Sequence, residues 1–155
     1  MKAQKSISLF HVSEIQLSYY PNFKASERPK VTSSKDAYEI FYENWSLGKL
    51  QLCEQFYIML LNRNNKVIGL SEISTGGVAG TVVDPKLIFA TALKANASQL
   101  ILAHNHPSGN LSPSQQDISI TKRLTDCGKM LDIPVLDHII LTSEHYYSFG
   151  DEGLI

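Results

Sequence analysis

QLILAHNHPSGNLSPSQQD, residues 99–117, divides into three pieces, and their order decides the fold. Gln99 to His106 is a short apolar run halted by Pro107, which predicts a strand. PSGNLSPS is a loop of turn formers. From about Ser114 a helix is expected to Leu131, with Ile118, Thr121 and Leu124 along one face. Residues two apart in a strand share a face, so His104 and His106 can aim at one point, and Pro107 biases His106 toward the extended form this needs. Asp117 falls in the first helical turn, where free N–H groups and the helix dipole favour an ionised carboxylate. Two imidazoles and one carboxylate form a three-ligand set for one zinc ion, with the fourth tetrahedral position left for water. Ser114-x-x-Asp117 also reads as a plain capping box, and the two uses are compatible.

Outward from this stretch the pattern repeats. PVLDHIILT (Pro134 to Thr142) predicts a further strand and HYYSF another. Upstream, Asp84-Pro85 starts a helix carrying Leu87, Ile88, Ala92 and Leu93. EQFYIMLLN (Glu54 to Asn62), the turn NRNNK and KVIGLSEI (Lys66 to Ile73) form a hairpin, followed by the glycine-rich loop STGGVAGT. A helix capped by Ser34 should carry Ala37, Ile40, Phe41 and Trp45 until Gly48 stops it. Residues 1–32 form an N-terminal extension, with a short strand from Phe10 to Leu17 and a basic connector, PNFKASERPK. Residues 33–155 form the domain. Strands interleaved with helices give the α/β class, and the hairpin makes the sheet mixed.

The bulk numbers exclude several classes. The chain has 155 residues, 43% hydrophobic and 19% charged, with a formal net charge of −1. That balance is globular and does not draw it to nucleic acid or anionic membrane. No apolar run approaches the ~20 residues of a membrane span, and no secretory signal layout opens the chain, so a cytoplasmic location is expected. Cys53 and Cys127 are too few for a disulfide framework.

His104-x-His106-Pro107, six residues, then Ser114-x-x-Asp117 resembles the motif of the JAB/MPN (JAMM) metallohydrolases. HNHPSG and the later LDHII resemble the RadC branch of that family, and the likeness runs from about Ser34 to the C-terminus. The resemblance implies a mixed sheet flanked by helices, related to that of the zinc deaminases. It implies His104, His106 and Asp117 as zinc ligands and Ser114 as the hydroxyl that steadies an oxyanion. It implies a glutamate ahead of an apolar strand as general base, and Glu54 matches that place, while Glu72 follows its strand. It also implies a protein or peptide substrate cleaved at an amide bond. Longer RadC proteins carry an N-terminal helix-hairpin-helix segment that residues 1–32 do not match, so only weak DNA binding is expected. The alternative function is a DNA-repair-associated accessory protein without protease activity.

His138, mid-strand in LDHII, is either a structural histidine or one supporting the metal site or substrate. STGGVAGT lacks the lysine of a phosphate loop and reads as a border of the cleft. Cys53, beside Glu54, reads as a structural thiol, and Phe149 as core. A zinc deaminase is excluded by the missing H-x-E and P-C-x-x-C. No sequence feature sets an oligomeric state.

Overall fold

A computed structural model describes Ser13, residues 20–77 and residues 81–155. The expected Phe10–Leu17 strand lies outside the described residues. The first helix, α1, is Ser34–Asn44, followed by a four-residue α2, Leu47–Leu50. Ser33, not Ser34, is the N-cap: its hydroxyl accepts from the Asp36 N–H while the Asp36 carboxylate accepts from the Ser33 N–H. Ser34, one residue inside, instead donates to Asp151 at 2.6 Å. Gly48 does not end α1 and lies inside α2. The stop comes at Trp45, whose extended backbone (ψ 146°) lets its ring settle 4.4 Å from that of Tyr57.

Strands β1 (Gln55–Leu61) and β2 (Val67–Thr75) form the hairpin, turned by Asn62, whose carboxamide oxygen accepts from the N–H groups of Asn64 and Lys66. Asn65 takes the left-handed conformation (φ 56°) that asparagine tolerates. The strand β2 runs two residues past Ile73, so Ser74 and Thr75 belong to it and not to the glycine loop. Helix α3 (Pro85–Lys94) is capped by Asp84. Next come β3 (Gln99–Asn105), α4 (Gln115–Met130), β4 (Val135–Leu141) and β5 (Tyr146–Ser148).

The sheet order is β2-β1-β3-β4-β5. Only β3–β4 is parallel, so the sheet is mixed. Alternation along the strands builds two cores. Met59, Leu61, Ile101, Ala103, Ile139 and Leu141 pack with Phe41 and Trp45 under α1. Phe56, Ile58, Leu60, Leu100 and Leu102 pack with Ile88 of α3 and Leu124 of α4 on the other face. Two consequences follow for the site. His104 continues the Leu100–Leu102 row, so it faces α4. Antiparallel pairing of β1 with β3 sets Phe56 opposite His104, which brings the start of β1 beside the end of β3.

Candidate functional site

His104, the last residue but one of β3, is almost fully buried, with its ring parallel to that of Phe56. His106 lies one residue past the strand but is held in line with it, since its N–H donates to the Leu141 carbonyl at 2.9 Å. The chain then turns back: the Gly109 N–H bonds the His106 carbonyl at 3.0 Å, and Gly109 adopts φ 81°, a conformation costly for other residues. This return places the Asn110 carbonyl 2.6 Å from His106 Nδ1. A carbonyl only accepts, so Nδ1 carries the hydrogen and Nε2 is free to face the site.

Asp117 arrives from the first turn of α4. The capping box is formed in full, with the Ser114 N–H on Asp117 Oδ2 at 2.7 Å and the Asp117 N–H on Ser114 Oγ at 3.1 Å. The cap orients the carboxylate and leaves it within reach of both imidazoles. His104 Nε2 is 3.0 Å from His106 Nε2 and 3.2 Å from Asp117 Oδ1, and His106 Nε2 is 3.5 Å from Oδ2. Burial pushes the Asp117 carboxyl up, but His104 and His106 outweigh it and hold it far below the usual carboxylate range. Burial likewise lowers the His106 imidazole, yet Asp117, the Asn110 carbonyl and the charge of Glu54 together raise it above its ordinary value.

These three residues are a group that could hold a metal ion, with ligand atoms all within 4.8 Å of one another. The fit can be tested by distance. Ligands about 2.0–2.1 Å from a tetrahedral zinc ion stand about 3.3 Å apart; the two imidazole nitrogens are 3.0 Å apart, and each has one oxygen of the Asp117 carboxylate near it, Oδ1 at 3.2 Å from His104 and Oδ2 at 3.5 Å from His106. The donor set also fits: two imidazole nitrogens and a carboxylate held ionised.

A cavity of about 500 Å³ opens over the cluster, lined by all three residues together with Glu54, Ser114 and Thr81. Glu54 precedes β1 and is anchored by its backbone, with its N–H on the Gly77 carbonyl at 3.2 Å and its carbonyl receiving the Gly76 N–H at 2.8 Å. The glycine loop thus holds the Glu54 backbone through Gly76 and Gly77 and borders the cleft at Thr81. Glu72 is elsewhere. Its carboxylate accepts from Tyr57 Oη at 2.9 Å and from the Thr75 hydroxyl, on the α1 side of the sheet, opposite to His104.

His138, fully buried in β4, stands behind His104, with its Nε2 2.8 Å from His104 Nδ1 and its Nδ1 2.6 Å from Thr121 Oγ1. Two residues to which the sequence reading gave no role at the site prove to be its structural partners. Asn105, between the histidines and on the other sheet face, accepts the Gln55 N–H at 2.7 Å and donates to the Leu50 and Cys53 carbonyls at 2.7 and 2.9 Å. It thereby clamps the chain on both sides of Glu54. Thr121 lies one helical turn beyond Asp117, a spacing that could have singled it out.

With the motif and its geometry in place, the family of RadC-like JAB domains matches residues 31–154. The chain belongs to this family. A UPF0758 protein of Flavobacterium johnsoniae is 50% identical over 125 residues, covering 81% of this chain and 53% of the relative. A UPF0758 protein of Clostridium acetobutylicum is 36% identical over 152 residues, covering 97% of this chain and 64% of the relative. One from Alkaliphilus metalliredigens is 47% identical over 102 residues, 66% of this chain and 44% of the relative. The chain therefore spans between 44% and 64% of the length of these relatives. Among the described residues, no helix of this RadC-like domain is long and apolar enough to cross a membrane.

Proposed function

We propose that this RadC-like JAB domain is a zinc-dependent hydrolase of amide bonds, taking a peptide or isopeptide as substrate. The observation that carries the proposal is convergence: three ligand atoms within 4.8 Å of one another, in a cavity that Glu54 and Ser114 also line. Zinc held by His104, His106 and Asp117 would supply Lewis acidity and a water acidified to near neutrality. The remaining steps belong to the protein. The Glu54 carboxylate takes a proton from the attacking water and returns it to the nitrogen of the leaving amine. The Ser114 hydroxyl accepts the Asp117 N–H through its oxygen, so its own hydrogen can be donated to the oxygen of the scissile carbonyl. Burial of His104 behind Phe56 shields one side of the cluster from water and strengthens its electrostatics.

The test is metal analysis combined with a screen of peptide and isopeptide libraries. One zinc per chain is expected, with the metal lost in His104→Ala and in Asp117→Ala and cleavage lost with it. Purified protein that takes up no zinc, or both variants retaining it in full, would overturn the proposal.

A further inference from the structure

The hydrogen bonds behind His104 have a direction, and it is set from the far end. The Asp117 main-chain carbonyl can only accept, and Thr121 Oγ1 lies 2.5 Å from it. The single hydroxyl hydrogen of Thr121 is therefore committed to that carbonyl. Thr121 Oγ1 is also 2.6 Å from His138 Nδ1, so in this second bond the oxygen must accept and Nδ1 must carry the hydrogen. His138 is fully buried between Phe56 and Phe149, with ring centroids at 5.5 and 4.8 Å. A neutral ring protonated at Nδ1 has a lone pair on Nε2. That lone pair meets His104 Nδ1 at 2.8 Å, so His104 in turn carries its hydrogen on Nδ1.

We propose that Thr121 and His138 form a tautomer lock on His104, a one-way hydrogen-bond chain that places the His104 ring hydrogen on Nδ1 and turns Nε2 toward His106 and Asp117 before any metal arrives. The chain begins and ends on residues of the same cluster, because the carbonyl that anchors it belongs to Asp117. His106 is set independently by the Asn110 carbonyl. Both imidazoles then turn Nε2 toward the same point, 3.0 Å apart and beside the Asp117 carboxylate. Thr121 and His138 are positioning residues in this scheme. A threonine bonding back to the carbonyl four residues earlier is a common helix habit. What distinguishes Thr121 is that the same buried oxygen also receives His138. The lock deepens the metal reading and depends on it only for affinity.

The experiment has two readouts, neither of which needs turnover. The first is nitrogen-15 NMR of the histidine rings in the metal-free protein. His104 and His138 are both expected as Nδ1–H tautomers in the wild type, and His104 found as Nε2–H would overturn the proposal with no variant required. In Thr121→Val the His138 Nδ1–H has no acceptor. The ring is then expected to carry its hydrogen on Nε2 and donate to His104, shifting the His104 hydrogen onto its own Nε2. Thr121→Ser keeps the hydroxyl and should keep the wild-type tautomers. The second readout is zinc affinity by chelator competition, expected to fall about 10- to 100-fold in Thr121→Val and to recover in Thr121→Ser. Unchanged His104 tautomer and unchanged affinity in Thr121→Val would overturn the lock, leaving Thr121 a packing residue. If the wild type takes up no zinc, the hydrolase proposal falls, and the NMR result alone decides the lock.

Discussion

Glu54 and Glu72 carry the same carboxylate and differ by the face of the sheet each serves. Glu54 shares its strand parity with Phe56, which pairs with His104, and it lines the cavity. Glu72 is taken up by Tyr57 and Thr75, bonds that hold its carboxyl below the ordinary value. Glu54→Gln is expected to keep its zinc and its melting temperature while losing about 10² to 10⁴ in turnover, the usual contribution of a general base. Glu72→Gln should keep most of its activity. Matched kinetics and metal analysis check the pair: a dead Glu72→Gln beside a working Glu54→Gln would reverse the assignment, and zinc lost from Glu54→Gln would make that residue a ligand or prop.

Helix α4 must carry Asp117 at one end and pass close to the loop before β4 at the other. Gly128 allows that approach, because a Cβ there would lie 2.5 Å from the Ile133 carbonyl oxygen. Alanine ordinarily gains about 1 kcal/mol over glycine inside a helix. Here overpacking against backbone costs about 1–3 kcal/mol, so Gly128→Ala should be net destabilising in urea unfolding despite the better propensity. The outer end of the sheet depends on Asp137. Its carboxylate receives the His138 and Gly150 N–H groups at 2.7 and 2.8 Å and the Ser148 hydroxyl at 2.6 Å, tying β4, β5 and the C-terminal turn together. Burial raises the Asp137 carboxyl above its ordinary 3.8, further than these donors lower it. The folded chain thus binds this proton more tightly than the unfolded chain does. The carboxylate's contribution to stability therefore falls as pH rises from about 4 through the raised value. Asp137→Asn should remove that decline, which unfolding curves at stepped pH would show as a flatter profile than wild type. Parallel profiles would refute it.

At the scale of the molecule, the candidate site draws its residues from separate elements of one sheet and its covering helix. Glu54 stands at the start of the β1–β2 hairpin, His104 and His106 at the end of β3, and Asp117 on α4. A ligand bound only by the folded state adds about 2.7 kcal/mol at a hundred times its dissociation constant. For a domain of this size that is roughly 5–11 °C in Tm. Zinc at that excess should raise the melting temperature by this amount and a chelator should reverse it. The His104→Ala variant should respond to neither. A wild-type Tm indifferent to both would argue against a metal site spanning these elements.

Much of this architecture is local in origin and so was legible in the chain. Short apolar runs bounded by turn formers marked β1, β3 and β4, and Asp84-Pro85 and Ser114-x-x-Asp117 marked the starts of α3 and α4. The H-x-H spacing put two imidazoles on one face because strand parity needs only neighbouring residues. Pattern alone misplaced the α1 boundaries, since Ser33 and Ser34 are equally good caps and the stop came at Trp45, which packs on Tyr57 of β1. What tertiary structure decided is every partnership between distant residues. His104 meets His138 from 34 positions away, and Asn105 clamps Gln55 from 50. Those meetings depend on β3 lying between β1 and β4, antiparallel to one and parallel to the other. Strand order and register are settled by which faces bury together, a property of the assembled sheet that no single segment carries.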